Sequence, residues 1–267
     1  MNAPMSLSAH SPSPVIEFRK KLLSQVAIVL VRPAYPENVG AAARVACNMG
    51  ISRLILVGQE RPDEERMRKL ATHHASHLIA GLEIFARLDE ALAPFQWVVG
   101  TSARQGRQRH TMVGPKTAMA DLVPKLVNNQ AALLFGPEDR GLSNDDLKLC
   151  NIVTTIPTAD FSSLNLAQAV ALLAYELYSE VLRGQQDNRT APVRLACSRE
   201  RENLYGLIEE ALRAIGSLQE EKYGYWMHNI RHFLGRTGLR SREARFVGGF
   251  CKQVIDFAKK SEPADGG

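Results

Sequence analysis

Five short segments of the chain, 26–31, 53–57, 96–100, 131–136 and 152–157, are almost wholly apolar and rich in β-branched residues. None alternates polar with apolar positions, so neither face of these predicted strands is meant for water. The stretches between them carry helical spacing instead. After Ser163 the residues Leu166, Ala167, Val170, Leu173, Ala174, Leu177 and Val181 recur every three or four positions, which predicts a long helix with a broad buried face. Ser143 followed by Asn144, Asp145 and Asp146 before Leu147 predicts a capped helix start with acids at the positive end of its dipole. Buried strands separated by helices imply a parallel sheet covered on both faces, an α/β domain over 24–183.

Past Arg183 the pattern changes. Residues 184–190 are polar and aperiodic, predicting a linker that runs to about 198. Beyond it Leu204, Leu207, Ile208, Ala211, Leu212 and Ile215 form one amphipathic face, and Phe246, Phe250, Val254, Ile255 and Phe257 mark another. The expectation is a small all-α C-terminal extension over 199–260, frayed over 261–267. At the other end, residues 1–23 mix Ser, Pro and His with Phe18-Arg19-Lys20-Lys21 and lack the apolar core of a secretory signal, so they read as a mobile leader.

Composition narrows the function classes. The longest apolar runs fall far short of the roughly 20 residues that span a bilayer, so no membrane partner is expected. Cys47, Cys150, Cys197 and Cys251 are widely separated and form no C-x-x-C pair, which points to reduced structural thiols and a cytoplasmic location. The net charge is +5, and it is concentrated. Between His228 and Lys252 the bases Arg231, Arg236, Arg240, Arg242, Arg245 and Lys252 face the single acid Glu243. An exposed cluster of like charges repels itself unless a polyanion such as RNA covers it.

Candidate chemistry gathers in three loops that follow predicted strands, where open α/β sheets place their ligands. The first is Pro36-Glu37-Asn38-Val39-Gly40-Ala41-Ala42-Ala43-Arg44, the second Gly136-Pro137-Glu138-Asp139-Arg140-Gly141-Leu142, the third Ser162-Ser163-Leu164-Asn165-Leu166-Ala167. None is G-x-G-x-x-G or a P-loop, which argues against a dinucleotide or a nucleoside triphosphate.

Jointly, Asn-x-Gly-x-x-x-Arg, Phe-Gly-x-Glu-x-x-Gly-Leu and Ser-Leu-Asn resemble the motifs of the SPOUT superfamily of RNA methyltransferases, in particular its TrmH-like ribose methyltransferases. Gly100-Thr101-Ser102-Ala103-Arg104 and the helical tail narrow the resemblance to the TrmJ subfamily, whose members methylate the ribose of nucleotide 32 in the tRNA anticodon loop. The resemblance implies a C-terminal trefoil knot, S-adenosylmethionine held in it without a metal, and a homodimer acting on tRNA. It places the cofactor against Thr101, Ser102, Ala103, Gly136, Ile156, Ser162, Ser163 and Leu164, and sets Arg44, Asn38, Glu138, Ser163 and Asn165 around the reacting methyl. Arg44 is the leading catalytic residue. Arginine holds its proton to beyond about pH 12, so anchoring a phosphate and stabilising a developing alkoxide suit it better than the role of base. Arg104, Arg107, Arg140 and the tail arginines are the candidates for RNA contact. Some relatives carry an arginine where Pro137 stands here, and Arg140 is the substitute on offer.

Each feature has a plainer reading. Asn38, Ser162 and Ser163 alone would pass for helix caps, but capping does not explain the company of Arg44 and Glu138. His73 and His77 lie four apart without a third ligand at a telling distance, so a packed or solvated helix face is favoured over a metal. Arg104, Arg107 and Arg109, with His110 and Lys116, read either as a solvated loop or as a phosphate contact. Tyr223, Tyr225, Trp226, His228 and Phe233 suit a core as well as they suit base stacking. Methylation of ribosomal RNA and a knotted RNA-binding protein without catalysis stand as alternatives.

Overall fold

The computed structural model describes residues 13–58, 60–103, 112–161, 163–184, 193–216 and 219–261. Within them the strands are β1 (Val26–Val31), β2 (Arg53–Val57), β3 (Glu83–Phe85), β4 (Trp97–Thr101), β5 (Met112–Val113), β6 (Ala131–Phe135) and β7 (Ile152–Thr154). All pair in parallel, in the order β3-β2-β1-β6-β4-β7-β5. The five expected strands are present. β3 and β5 went unread, because two or three residues are too few to show a period.

Successive side chains of a strand point to opposite faces, and both faces here are covered. Val26, Ile28 and Leu30 of β1 pack with α1 (Pro14–Ser24), α2 (Pro36–Asn48), α3 (Glu64–Ala71), α4 (Ser76–Ala80), α6 (Pro115–Leu122) and α8 (Leu166–Arg183). Ala27, Val29 and Val31 pack with α5 (Leu88–Leu92) and α7 (Asn144–Leu147). Three further helices follow: α9 (Ser198–Ala214), α10 (Glu220–Arg236) and α11 (Ser241–Ser261).

The terminal expectations need correction. The leader is not free to residue 23: Pro14 opens α1, whose Leu22 and Leu23 are buried, and Arg19 donates to the carbonyl of Leu182 at the end of α8. Nor is the linker free to residue 198, because Leu195 and Ala196 are buried and the Leu195 N–H donates to Asn129 Oδ1. In α11 the inward face is Ala244, Cys251 and Ile255, with Val247 and Val254 beside them, while Phe246, Phe250 and Phe257 are exposed. The largest side chains of that helix were assigned to the wrong side.

Two packing details carry predictions. Gly40 lets α2 touch α3, for an added Cβ would lie 1.9 Å from the Met67 carbonyl oxygen. Backbone cannot swing aside as a flexible side chain can, so Gly40→Ala is expected to cost about 3 kcal/mol or more, read as a lowered urea midpoint. The tail is fastened by Arg201, which is 6% exposed and donates to the carbonyls of Gln96 and Ala196, to Asn151 Oδ1 and to Ser198 Oγ. Burial pulls its guanidinium pKa below the usual arginine range, since every acceptor is neutral. Arg201→Met removes its hydrogen bonds to the carbonyls of Gln96 and Ala196, while Asn151 Oδ1 keeps the Val98 N–H, with an expected loss of about 3 kcal/mol by the same assay.

Gln96 precedes β4, Asn129 precedes β6 and Asn151 precedes β7, so the tail is docked at the amino ends of these strands. The candidate loops leave from the carboxyl ends.

Candidate active site

The sheet order explains why distant motifs meet. β6 lies between β1 and β4, and β4 lies between β6 and β7, so the loops after all four strands emerge side by side. The first loop enters α2 at Pro36, with Tyr35 as the N-cap and no side-chain cap bond. Asn38 is therefore inside the first turn, and the capping alternative for it falls away. Its amide Nδ2 donates to Glu138 Oε1 at 2.5 Å, and its Oδ1 accepts from Asn165 Nδ2 at 3.1 Å. Glu138 Oε2 accepts the Ala34 N–H at 2.9 Å. Asn165 Oδ1 accepts the N–H groups of Ala167 and Gln168, so Asn165, not Ser162 or Ser163, is the N-cap of α8. One hydrogen-bonded chain thus ties all three loops: Glu138 to Asn38, Asn38 to Asn165, Asn165 to the start of α8.

Beside this chain is a cavity of about 370 Å³, lined by Thr101, Ser102, Ala103, Phe135, Gly136, Glu138, Arg140, Ile156, Ser163 and Leu164 among others. Its volume falls in the range typical of small-molecule sites. Of the expected cofactor contacts, Thr101, Ser102, Ala103, Gly136, Ile156, Ser163 and Leu164 line it together. Ser162 lies outside the described residues, as do Arg104, Arg107, Arg109 and His110.

Local structure accounts for the shape of the cavity. The Thr101 hydroxyl donates to the Leu134 carbonyl and the Ser102 N–H donates to the Thr154 carbonyl, stitching the ends of β4, β6 and β7. The second loop folds back on itself through a bond from the Gly141 N–H to the Pro137 carbonyl, with Gly141 at φ +66°. A Cβ on Gly136 would sit 2.2 Å from the Gly141 carbonyl carbon and the Leu142 nitrogen. Only glycine permits that closure.

Arg44 is exposed on α2, is not part of the cavity wall, and its guanidinium has no hydrogen-bond or ion-pair partner among the described residues. At 100° per residue, six positions put it about 120° around the helix from Asn38 and about 9 Å further along the axis. Arg140 is exposed at the cavity rim, 3.5 Å from Asp139.

Residues 25–175, more than half the chain, match the SpoU rRNA Methylase family. The chain belongs to that family. It is 34% identical over 240 residues, 87% of its own length and 97% of the relative's, to a Citrobacter koseri protein described as tRNA (cytidine/uridine-2'-O-)-methyltransferase TrmJ. A Sodalis glossinidius protein of the same description is 32% identical over 251 residues, covering 91% of this chain and 96% of that one. Among solved structures, TrmJ from Z. mobilis ZM4 superposes with a TM-score of 0.72 at 30% identity, covering 85% of this chain and 98% of the other. The activity class follows from the family and these relatives: an RNA 2′-O-methyltransferase.

A second brace in this SpoU-family site joins Arg32 to Asp146. Arg32, left-handed at φ 48°, donates its backbone N–H to the Val57 carbonyl and its guanidinium to Asp146 Oδ2 at 2.7 Å. Asp146 also completes the capping box of α7 with Ser143. A lone arginine after a strand gives no sequence signal of such a partner.

The tail candidates divide. Arg231 is bound by both oxygens of Glu202 and stacks 4.6 Å over the Tyr205 ring, and Arg240 lies against Glu243, so these two are ion-paired within the tail. Arg236, Arg242 and Arg245 are exposed. Tyr223 is buried and its hydroxyl donates to the Leu212 carbonyl, whereas Trp226 and Phe233 are exposed. His77 Nδ1 pairs with the His74 carbonyl, and no cluster of three metal-ligating side chains occurs among the described residues.

Proposed function

We propose that this chain is an S-adenosylmethionine-dependent tRNA 2′-O-ribose methyltransferase acting on cytidine or uridine 32 of the anticodon loop. The observation that carries the proposal is a glycine-closed cavity walled by the second and third loops and the end of β4, to which the first loop is tied through the hydrogen bonds of Asn38 to Glu138 and Asn165. The substrate assignment leans on relatives described as tRNA (cytidine/uridine-2'-O-)-methyltransferases.

The cavity fits the methyl donor on its own chemistry. Phe135, Leu142, Ile156 and Leu164 offer an apolar wall for an adenine ring, and the backbone exposed around Thr101 to Ala103 and at Gly136 offers donors and acceptors for its edge and for the amino-acid end. When bound, S-adenosylmethionine supplies an electrophilic methyl carbon on a sulfonium. The protein's part is to bring a ribose 2′-oxygen into line and to stabilise the charge that grows on it as its proton passes to solvent water. Arg44 does this with a guanidinium that pairs with no carboxylate among the described residues, gripping the adjoining phosphate bidentately. Glu138, Asn38 and Asn165 hold the loops in register and touch the reaction through that geometry; both Glu138 oxygens are already accepting hydrogen bonds.

The same reading includes the trefoil knot at the carboxyl end of the sheet and a homodimer, for which the exposed Leu172 and Tyr175 on α8 provide an apolar face. Its test is to supply methyl-labelled S-adenosylmethionine with total RNA, digest the RNA to nucleosides and separate them. Label is expected in 2′-O-methylcytidine or 2′-O-methyluridine from the tRNA fraction, and S-adenosylhomocysteine should suppress it. Label in a base, or confined to ribosomal RNA, overturns the assignment.

A further inference from the structure

We infer that Tyr35, on the first loop, is the residue on which the base of the methylated nucleotide stacks, so that a pyrimidine is accepted by its ring face and not by its hydrogen-bonding edge. This rests on the RNA-methyltransferase reading and adds how the same site treats the base it does not modify.

Tyr35 breaks a local rule. It is the N-cap of α2, a place that favours Ser, Thr, Asp or Asn because their short side chains bond the first open N–H groups, and its own side chain makes no such bond. Packing does not require it either. It is 57% exposed, and its hydroxyl has no hydrogen-bond partner among the described residues. A residue that forgoes local stability without a packing gain is expected where function needs it.

The loop that carries Tyr35 is pinned on both sides. Arg32 binds Asp146, the Ala34 N–H donates to Glu138 Oε2 at 2.9 Å, and the Asn38 N–H donates to the Tyr35 carbonyl at 3.0 Å. Pro33 and Pro36 flank Ala34-Tyr35 and fix their own φ angles. Glu138 lines the cavity, and the Cα atoms of Ala34 and Tyr35 are about 3.8 Å apart, so the ring is rooted within one side chain's length of that wall. A ring on a stiff support loses little freedom when it meets a base.

The neighbouring polar groups explain why a ring face is what the base meets. Cytosine and uracil differ at their edges, one offering an amine donor where the other offers a carbonyl acceptor. Telling them apart takes a side-chain amide with both its nitrogen and its oxygen open. Asn38 gives Nδ2 to Glu138 and Oδ1 to Asn165, Asn165 gives Oδ1 to the N–H groups of Ala167 and Gln168, and both Glu138 oxygens accept hydrogen bonds. Stacking has no such demand, since every base has a π face. A site built this way takes cytidine and uridine alike.

The experiment uses the full chain and full-length tRNA that carries, at nucleotide 32, cytidine, uridine or a ribose that keeps its 2′-hydroxyl but has no base. Tyr35→Leu should lower kcat/KM at least tenfold on both pyrimidines, by the same factor on each, and Tyr35→Phe, which keeps the ring, should restore most of the loss. On the baseless ribose the wild-type chain should fall by that factor, and Tyr35→Leu should fall no further. Binding of S-adenosylmethionine and the urea midpoint should not move. An unchanged Tyr35→Leu, an equal penalty on the baseless ribose, or a loss confined to one pyrimidine overturns the inference. A change of oligomeric state of Tyr35→Leu on light scattering also overturns it, by showing that a second copy covers the ring. Absence of ribose label from the wild-type chain on either pyrimidine sinks the Proposed function and the inference together, whereas label with an indifferent Tyr35 sinks the inference alone.

Discussion

Arg44→Ala should lower kcat by about 10²–10³-fold while binding of S-adenosylmethionine, measured by calorimetry, stays as it is. The magnitude is that of removing one preorganised donor from a developing oxyanion. Two observations set the split between turnover and cofactor affinity. Arg44 is not among the residues that line the cavity, and its guanidinium has no hydrogen-bond or ion-pair partner among the described residues, so its removal is expected to leave the cavity and its neighbours undisturbed. Arg44→Lys distinguishes the roles further. Lysine keeps the charge but not the planar fork, so a bidentate phosphate grip predicts that most of the loss persists. Near-normal turnover of Arg44→Ala at saturating RNA would remove the residue from the mechanism.

Gly136→Val should abolish cofactor binding, and Gly136→Ala should weaken it about 100-fold. The reason is local: the second loop closes on itself with the Gly136 Cα against the backbone of Gly141 and Leu142, and a Cβ would stand 2.2 Å from two of those atoms. Relief requires the loop to open, and the loop is a wall of the cavity. Overpacking of about 3 kcal/mol, expressed as lost binding, corresponds to that factor. Because the strain falls on a surface loop, the urea midpoint should move little, which separates this variant from Gly40→Ala, where the same kind of clash lies between two core helices.

The catalytic half of the molecule was legible because its signals are local. Strands buried on both faces announce themselves as unbroken apolar runs, and α8 shows its period over many turns. The three motifs were legible as a set, and the sheet order supplies the reason they meet: β1, β6, β4 and β7 are neighbours, so loops far apart in sequence share one edge. What the residues hid was the division of labour. Asn38, Glu138 and Asn165 are expected around the reacting methyl, and their hydrogen bonds to one another and to backbone join the three loops. The tail was harder. A helix with apolar residues on more than one face offers two choices of inward side, and large side chains drew the assignment to Phe246, Phe250 and Phe257, whereas small ones pack against α9. Arg231 and Arg201 each look like one more surface cation in sequence. Glu202 for the first, and the Gln96 carbonyl and Asn151 Oδ1 for the second, come from elsewhere in the fold.

The most direct measurement is a crystal structure of the full chain soaked with S-adenosylhomocysteine. Density should fill the cavity between Thr101, Gly136 and Leu164. Density bound elsewhere, or a cavity that stays empty at saturating ligand while methyl transfer proceeds, contradicts the account.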